Sequence, residues 1–83
     1  MIIVGDIGNT ETKICLVSSK NIIIKRVSLL TKKINHSSLN KSLLGLNLKI
    51  NQLTNVYFAA SYQKNLIQLK SFLIMFIKLR VTN

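Results

Sequence analysis

Several residue types are scarce in the 83-residue chain or missing from it, and each absence excludes a class of protein. The sequence contains no Pro, no Trp, three Gly and one Cys. The single Cys15 cannot form an intrachain disulfide, so a reducing compartment is expected. One Cys, one His and two acidic residues make a poor ligand set for a closed metal site. The length allows one small domain at most, which excludes a complete two-domain enzyme.

Acidic residues are also scarce, and the charge is strongly positive. Twelve Lys and Arg against two Asp and Glu give a formal net charge of +10. Such a charge is typical of proteins that bind nucleic acids or anionic membranes. The cations are scattered, however, and the 12 Ile, 10 Lys and 9 Asn match a bias towards A/T-rich codons. Because a nucleic-acid site usually clusters its cations and adds stacking aromatics, we expect neither a nucleic acid nor a membrane as partner.

Long hydrophobic runs are absent as well. The most apolar stretch, Phe72–Ile77, is short and is flanked by Lys70 and Lys78, whereas a membrane span needs about 20 apolar residues. The N-terminal MIIVGDIGNT has no basic region and reaches Asp6 at once, unlike a signal peptide. The expected location is therefore cytoplasmic.

Four β-strands are predicted from runs rich in β-branched residues that are bounded by turn residues. The predicted strands are Met1–Val4, Glu11–Val17, Ile22–Val27 and Asn55–Ala60. Short turns join the first three, which predicts an antiparallel meander. Residues 31–38 are polar and are predicted to form a loop, and residues 49–55 a connector.

Two helices are predicted from the spacing of the leucines. The first would be capped by Ser37 or Ser38 and would end near Gly45. The second would run from Gln63 to about Leu79, with a polar face opposite an apolar one. The resulting order, β-β-β-α-β-α, predicts an α/β fold with helices packed on a mixed sheet. The sheet is mixed because a crossover connection places the fourth strand parallel to the first.

Both acidic residues of the chain lie in one segment at the end of the first strand, Asp6–Lys13. A carboxylate there can hold a hydrated Mg²⁺. Gly8 lets backbone amides approach an anion, and Asn9, Thr10 and Thr12 add short side-chain donors for phosphate oxygens. The lysine that ends the segment supplies the positive charge that phosphoryl-transfer sites require. The segment indicates a phosphate-binding turn; the alternative is a plain β-hairpin, because Asp, Gly and Asn are common in turns.

The segment VGDIGNTETKICLV resembles the first phosphate-binding motif of the superfamily that contains sugar kinases and actin. More specifically, it is similar to type III pantothenate kinases, which open with a hydrophobic strand and Asp-(Ile/Val)-Gly-Asn-Thr. The Asn before Thr10 favours this family, because sugar kinases more often have Gly or Thr there. The resemblance implies that residues 1–83 form the N-terminal part of a ribonuclease-H-like ATP-binding domain, an incomplete domain whose second, partner domain is absent.

The resemblance also implies an activity and its cofactors. The intact protein would phosphorylate pantothenate to 4′-phosphopantothenate with ATP, the first step of coenzyme A biosynthesis. It would use Mg²⁺ and a monovalent cation, K⁺ or NH₄⁺, and would be a homodimer. Asp6 would organise the metal and the phosphates. The residues implied to bind ATP are Asp6, Ile7, Gly8, Asn9, Thr10, Glu11, Thr12 and Lys13.

The general base of the family has no counterpart in this chain, since no acidic residue follows Glu11. Phosphoryl transfer to an alcohol needs nucleotide, metal, acceptor and base together. We therefore expect a truncated fragment that holds no catalytic residue and is inactive alone. Two alternatives stay open: another actin-like or sugar-kinase-type ATPase, and a small basic binding module that is not an enzyme.

Four further side chains have an ordinary structural interpretation. Cys15 lies in the middle of a strand and is expected to be buried. His36 lies in the polar loop without neighbouring metal ligands and is expected to be solvated. Phe72 and Met75 are expected to pack in the core, or to be exposed where the fragment lacks a covering partner.

Overall fold

The computed structural model describes residues 1–46, 55–60 and 63–82, and its elements follow the predicted order. The strands are β1 (Ile2–Ile7), β2 (Glu11–Val17), β3 (Ile23–Leu30) and β4 (Asn55–Ala60). The helices are α1 (His36–Leu46) and α2 (Lys64–Thr82), and a short 3-10 turn covers Thr31–Lys33. The predicted α/β class and the order β-β-β-α-β-α are confirmed. Most of the predicted connector before β4 lies outside the described residues.

The four strands form one mixed sheet in the order β3-β2-β1-β4. β1 and β3 both pair with β2 in antiparallel fashion, which confirms the predicted meander. β4 pairs with β1 in parallel, which confirms the predicted crossover. The strand β1 therefore lies between β2 and β4, and its C-terminal end carries Asp6 and leads into the turn before Glu11.

Two strands are longer than their hydrophobic runs predict. β1 continues beyond Val4 to Ile7, and β3 continues beyond Val27 to Leu30. In both places the additional residues pair with β2: Asp6 lies opposite Lys13, and Leu29 lies opposite Thr12. Pairing across strands, which is not visible in the local pattern, thus extends each strand beyond its predicted end.

The loop predicted for residues 31–38 is wrong in part, because it contains the 3-10 turn and the start of α1. The prediction that Ser37 or Ser38 caps α1 is also wrong, since Asn35 is the N-cap. Its side-chain oxygen accepts from the Ser38 N–H at 2.9 Å, and its own N–H donates to the Ser38 hydroxyl at 2.9 Å. This reciprocal pair is a capping box, so the serine contributes to the cap from the third helical position.

The hydrophobic core lies between one face of the sheet and the two helices. α2 packs against β4, and α1 packs against β3. The interior residues of the core are Ile3, Ile7, Ile14, Leu16, Leu39, Leu43, Val56, Phe58, Leu66, Leu73 and Ile77. On the strands these residues alternate with outward-facing ones, so the opposite face of the sheet is left uncovered by the described residues. No helix within the described parts of the chain has the length and apolarity needed to cross a bilayer.

The uncovered face explains why the prediction for Cys15 is wrong. Cys15 pairs with Val4 on one side and Arg26 on the other, and Val4 is 37% exposed. The thiol side chain is therefore only half-buried. Met75 is 63% exposed, which agrees with the second of the two outcomes expected for it.

His36 is exposed, as predicted, but it is not simply a solvated loop residue. It is the first residue of α1, and its ring lies 5.4 Å from that of Phe72 and 5.2 Å from that of Phe76. The Phe72 contact is edge-to-face, a favourable geometry for aromatic rings. These contacts join the start of α1 to the middle of α2.

Candidate phosphate-binding turn

The turn between β1 and β2 consists of Gly8, Asn9 and Thr10. Gly8 donates its N–H to the Glu11 carbonyl at 3.0 Å, and this bond closes the hairpin. The side chains of Asn9 and Thr10 are exposed at its tip. A Cβ on Gly8 would lie 3.0 Å from the Glu11 oxygen, which is tighter than ordinary contacts. Glycine is favoured here because a side chain would crowd the Glu11 carbonyl. A left-handed backbone is not the reason, because the φ angle of Gly8 is not positive.

Three charged side chains lie beside the turn on the uncovered face of the sheet. Asp6 and Lys13 are register partners on β1 and β2, and both are exposed. Glu11 is two residues before Lys13 on the same strand, so it lies on the same face. Two carboxylates and one ammonium group therefore lie on one face of the hairpin, next to the turn.

Two other residues of the predicted ATP-binding segment are directed into the protein. Ile7 is 1% exposed and Thr12 is 0% exposed, and the two are register partners. Their side chains face the helices, opposite to Asp6 and Lys13. Strand alternation thus divides the segment. Asp6, Glu11 and Lys13 face outward, whereas Ile7 and Thr12 face inward and anchor the segment in the core.

Thr12 is the one polar residue with a buried side chain in the described part of the chain, and its hydroxyl is satisfied by Thr31. The two Oγ1 atoms are 2.9 Å apart. The Thr31 hydroxyl donates to the Gly8 carbonyl at 2.7 Å. A hydroxyl has one proton to donate, so Thr12 must be the donor to Thr31. The result is a directed chain of hydrogen bonds from the core to the turn.

Thr31 also binds the turn through its backbone. Its N–H donates to the Thr10 carbonyl at 2.9 Å. Sequence reasoning missed this residue, because it lies 19 positions from Thr12 and follows a strand of unremarkable composition. The signal that could have found it is the register between β2 and β3, which pairs Glu11 with Leu30 and so brings the next residue to the turn.

The charged side chains beside the turn are of the types that bind metal ions and phosphate groups. In the described residues, no three His, Cys, Asp or Glu side chains come together as a metal site. Mg²⁺ is usually held by one or two carboxylates together with water and substrate phosphates. Asp6 and Glu11 meet that requirement, and Lys13 offers a cation for phosphate oxygens. One face of the sheet thus offers carboxylate ligands of the kind that Mg²⁺ takes and a cation of the kind that phosphate oxygens take.

The chain is similar to a curated protein of known name. The chain is 71% identical over 72 residues to a type III pantothenate kinase from Pelagibacter ubique. The match covers 87% of this chain and 29% of that relative, so the chain spans less than a third of the length of the curated relative it matches. The predicted resemblance to type III pantothenate kinases is confirmed. No protein-family model matches the chain. No solved structure matches it either.

Proposed function

We propose that this chain forms the phosphate-binding wall of an enzyme that phosphorylates pantothenate with ATP. The observation that carries the proposal is the 71% identity over 72 residues to a type III pantothenate kinase. The geometry supports it, because the turn after β1 combines exposed carboxylates, exposed donors and an ammonium group. In this proposal residues 1–83 are the N-terminal part of a ribonuclease-H-like ATP-binding domain.

Asp6 and Glu11 would hold the Mg²⁺ that accompanies ATP. Bound Mg²⁺ neutralises charge that develops on the phosphates during transfer. Asp6 lies on β1 and Glu11 at the start of β2, so regular sheet pairing fixes the backbone positions of both residues. Such rigid placement matters, because phosphoryl transfer depends mainly on positioning and on charge stabilisation.

Asn9, Thr10 and Lys13 would contact the phosphate oxygens. The first two present short polar side chains at the tip of the turn, and Lys13 presents its ammonium group at the base. Gly8 keeps the turn tight enough for its backbone to approach an anion. Ile7 and Thr12 would act indirectly, by fixing the turn to the core.

The remaining parts of the reaction would come from protein that this chain does not contain. Both acidic side chains, Asp6 and Glu11, lie beside the phosphate turn. The proposal therefore assigns no carboxylate of this chain as the general base for the pantothenate hydroxyl. The proposal therefore includes no turnover by the isolated 83 residues. The homodimer and the monovalent cation stay predictions from the family resemblance.

The test joins this chain to the part of the Pelagibacter ubique kinase that follows the matched segment. We expect this spliced protein to phosphorylate pantothenate with ATP. The Asp6→Asn variant should lose at least about 100-fold in kcat/KM, a typical cost of removing a group that stabilises transition-state charge. The control is Ser28→Ala, a change at an exposed residue in the same row of the sheet.

Two results would contradict the proposal. One is a folded spliced protein that uses ATP but leaves pantothenate untouched while phosphorylating a sugar or glycerol, which would favour a different kinase of the superfamily. The other is full activity in Asp6→Asn, which would show that this carboxylate of the turn takes no part in the reaction. Steeply salt-dependent binding of nucleic acid by the chain would instead favour the basic binding module.

A further inference from the structure

Thr31 is the residue in which the contacts of the turn converge. It donates its hydroxyl proton to the Gly8 carbonyl, donates its N–H to the Thr10 carbonyl and accepts from the Thr12 hydroxyl. It belongs to the 3-10 turn after β3, so it is remote in sequence from the segment it holds. Its side chain is half-buried, which limits the access of competing water.

These contacts determine the direction in which the turn presents its amides. The Gly8 carbonyl and the Asn9 N–H belong to one planar trans peptide, so they point in opposite directions. Because the carbonyl points to Thr31, the Asn9 N–H points away from Thr31. In the described part of the chain, no group accepts a hydrogen bond from the Asn9 N–H. An unpaired backbone donor is thus held at the exposed tip of the turn.

We propose that Thr31 is a positioning residue for phosphate binding, which rests on the function proposed above. Its hydroxyl fixes the Gly8–Asn9 peptide so that the Asn9 N–H is aimed outward, at a phosphate oxygen of the nucleotide. Thr31 itself touches no ligand in this arrangement. A fixed donor costs no reorganisation when the ligand binds, and this is how preorganised amides stabilise anions.

The hydroxyl, rather than the size of the side chain, carries this role. Removing it would leave the Gly8 carbonyl without its partner and the Thr12 hydroxyl without its acceptor. Thr12 is fully buried, so water cannot take over that bond. Both losses disfavour the observed turn relative to alternatives in which the Gly8–Asn9 peptide rotates.

The first measurement uses the 83-residue chain and does not depend on any activity. Hydrogen exchange of the Gly8 N–H reports opening of the turn, because this group is bonded to the Glu11 carbonyl. Thr31→Val keeps the shape and removes the hydroxyl, and we expect Gly8 exchange to become about tenfold faster. Thr31→Ser restores the hydroxyl and should return the rate to near that of the parent chain. Ser28→Ala, which removes an exposed hydroxyl on β3, should leave it unchanged.

The second measurement uses the spliced kinase described above. For Thr31→Val we expect the KM for ATP to rise about tenfold, while the KM for pantothenate stays within about twofold of its original value. Thr31→Ser should recover most of the ATP affinity. A general loss of stability would lower the amount of active enzyme without this selective change in KM.

Separate outcomes overturn the two proposals. Equal Gly8 exchange in the parent chain and in Thr31→Val, or equal behaviour of Thr31→Val and Thr31→Ser, would overturn the role of Thr31. A spliced protein that does not phosphorylate pantothenate would overturn the function, while the exchange result would still decide whether Thr31 holds the turn. If Thr31→Val does not fold, Thr12→Val and Thr12→Ser test the same chain of hydrogen bonds from its other end.

Discussion

The ring of Phe58 lies across Gly5, its register partner on the adjacent parallel strand. A Cβ built on Gly5 would overlap three ring carbons of Phe58. Phe58 is 6% exposed and belongs to the core that joins β4 to α2. The glycine therefore provides the space in which the largest buried side chain of β4 crosses the neighbouring strand.

Gly5→Ala is accordingly expected to destabilise the chain. Phe58 would have to leave its position, and overpacking of a filled core typically costs about 1–3 kcal/mol. Urea denaturation should show a lower midpoint with an unchanged slope. The double variant Gly5→Ala/Phe58→Leu should lose less than the sum of the two single changes, because the smaller side chain relieves the overlap. Additive losses would show that the two residues do not compete for this space.

The capping box at the start of α1 gives a second stability prediction. Asn35→Ala removes the acceptor of the Ser38 N–H and is expected to lower the free energy of unfolding by about 1 kcal/mol. Asn35→Asp keeps an acceptor at the N-cap and should cost much less. Ser37→Ala, at an exposed residue that was a candidate cap from the sequence, should be nearly neutral. A larger loss for Ser37→Ala than for Asn35→Ala would contradict the cap seen here.

A third prediction concerns the ring contacts of His36. His36→Ala removes the contacts with Phe72 and Phe76 and is expected to cost about 0.5–1.5 kcal/mol, the range measured for aromatic pairs. His36→Phe keeps an aromatic ring at this position and should retain most of that stability. Thermal unfolding followed by circular dichroism provides the measurement. If both variants unfold at the same temperature as the parent chain, the ring contacts do not stabilise the packing of α1 on α2.

Much of the sheet could be predicted from local sequence, because alternation and turn residues are short-range signals. The bounds of β2 and β4 were predicted correctly, and so was the parallel pairing of β4 with β1. A turn between the first two strands was predicted as well, but it is shorter than expected, because β1 continues through Asp6 to Ile7. Which of its side chains face outward then follows from strand alternation, once the pairing of β1 with β2 is known.

The errors arise where distant parts of the chain decide the local structure. The end of β3 depends on its register with β2, and the role of Thr31 depends on the same register. The half-exposure of Cys15 depends on which face of the sheet the helices cover. The start of α1 is a local error: Ser37 or Ser38 was the expected cap, whereas the hydrogen bonds place the cap at Asn35.

The electrostatic role of Lys13 can be separated from the overall charge of +10 by a matched pair of variants. Lys13 lies at the base of the phosphate turn, whereas Lys20 is exposed in the turn at the opposite end of β2. In the spliced kinase, Lys13→Gln should raise the KM for ATP about tenfold at low salt, and the effect should shrink as salt screens the interaction. Lys20→Gln removes the same charge and should change KM by less than about twofold, because screening is strong beyond about 10 Å. Equal effects of the two variants would show that ATP binding depends only on the net charge of the protein, and this would contradict a specific role for Lys13.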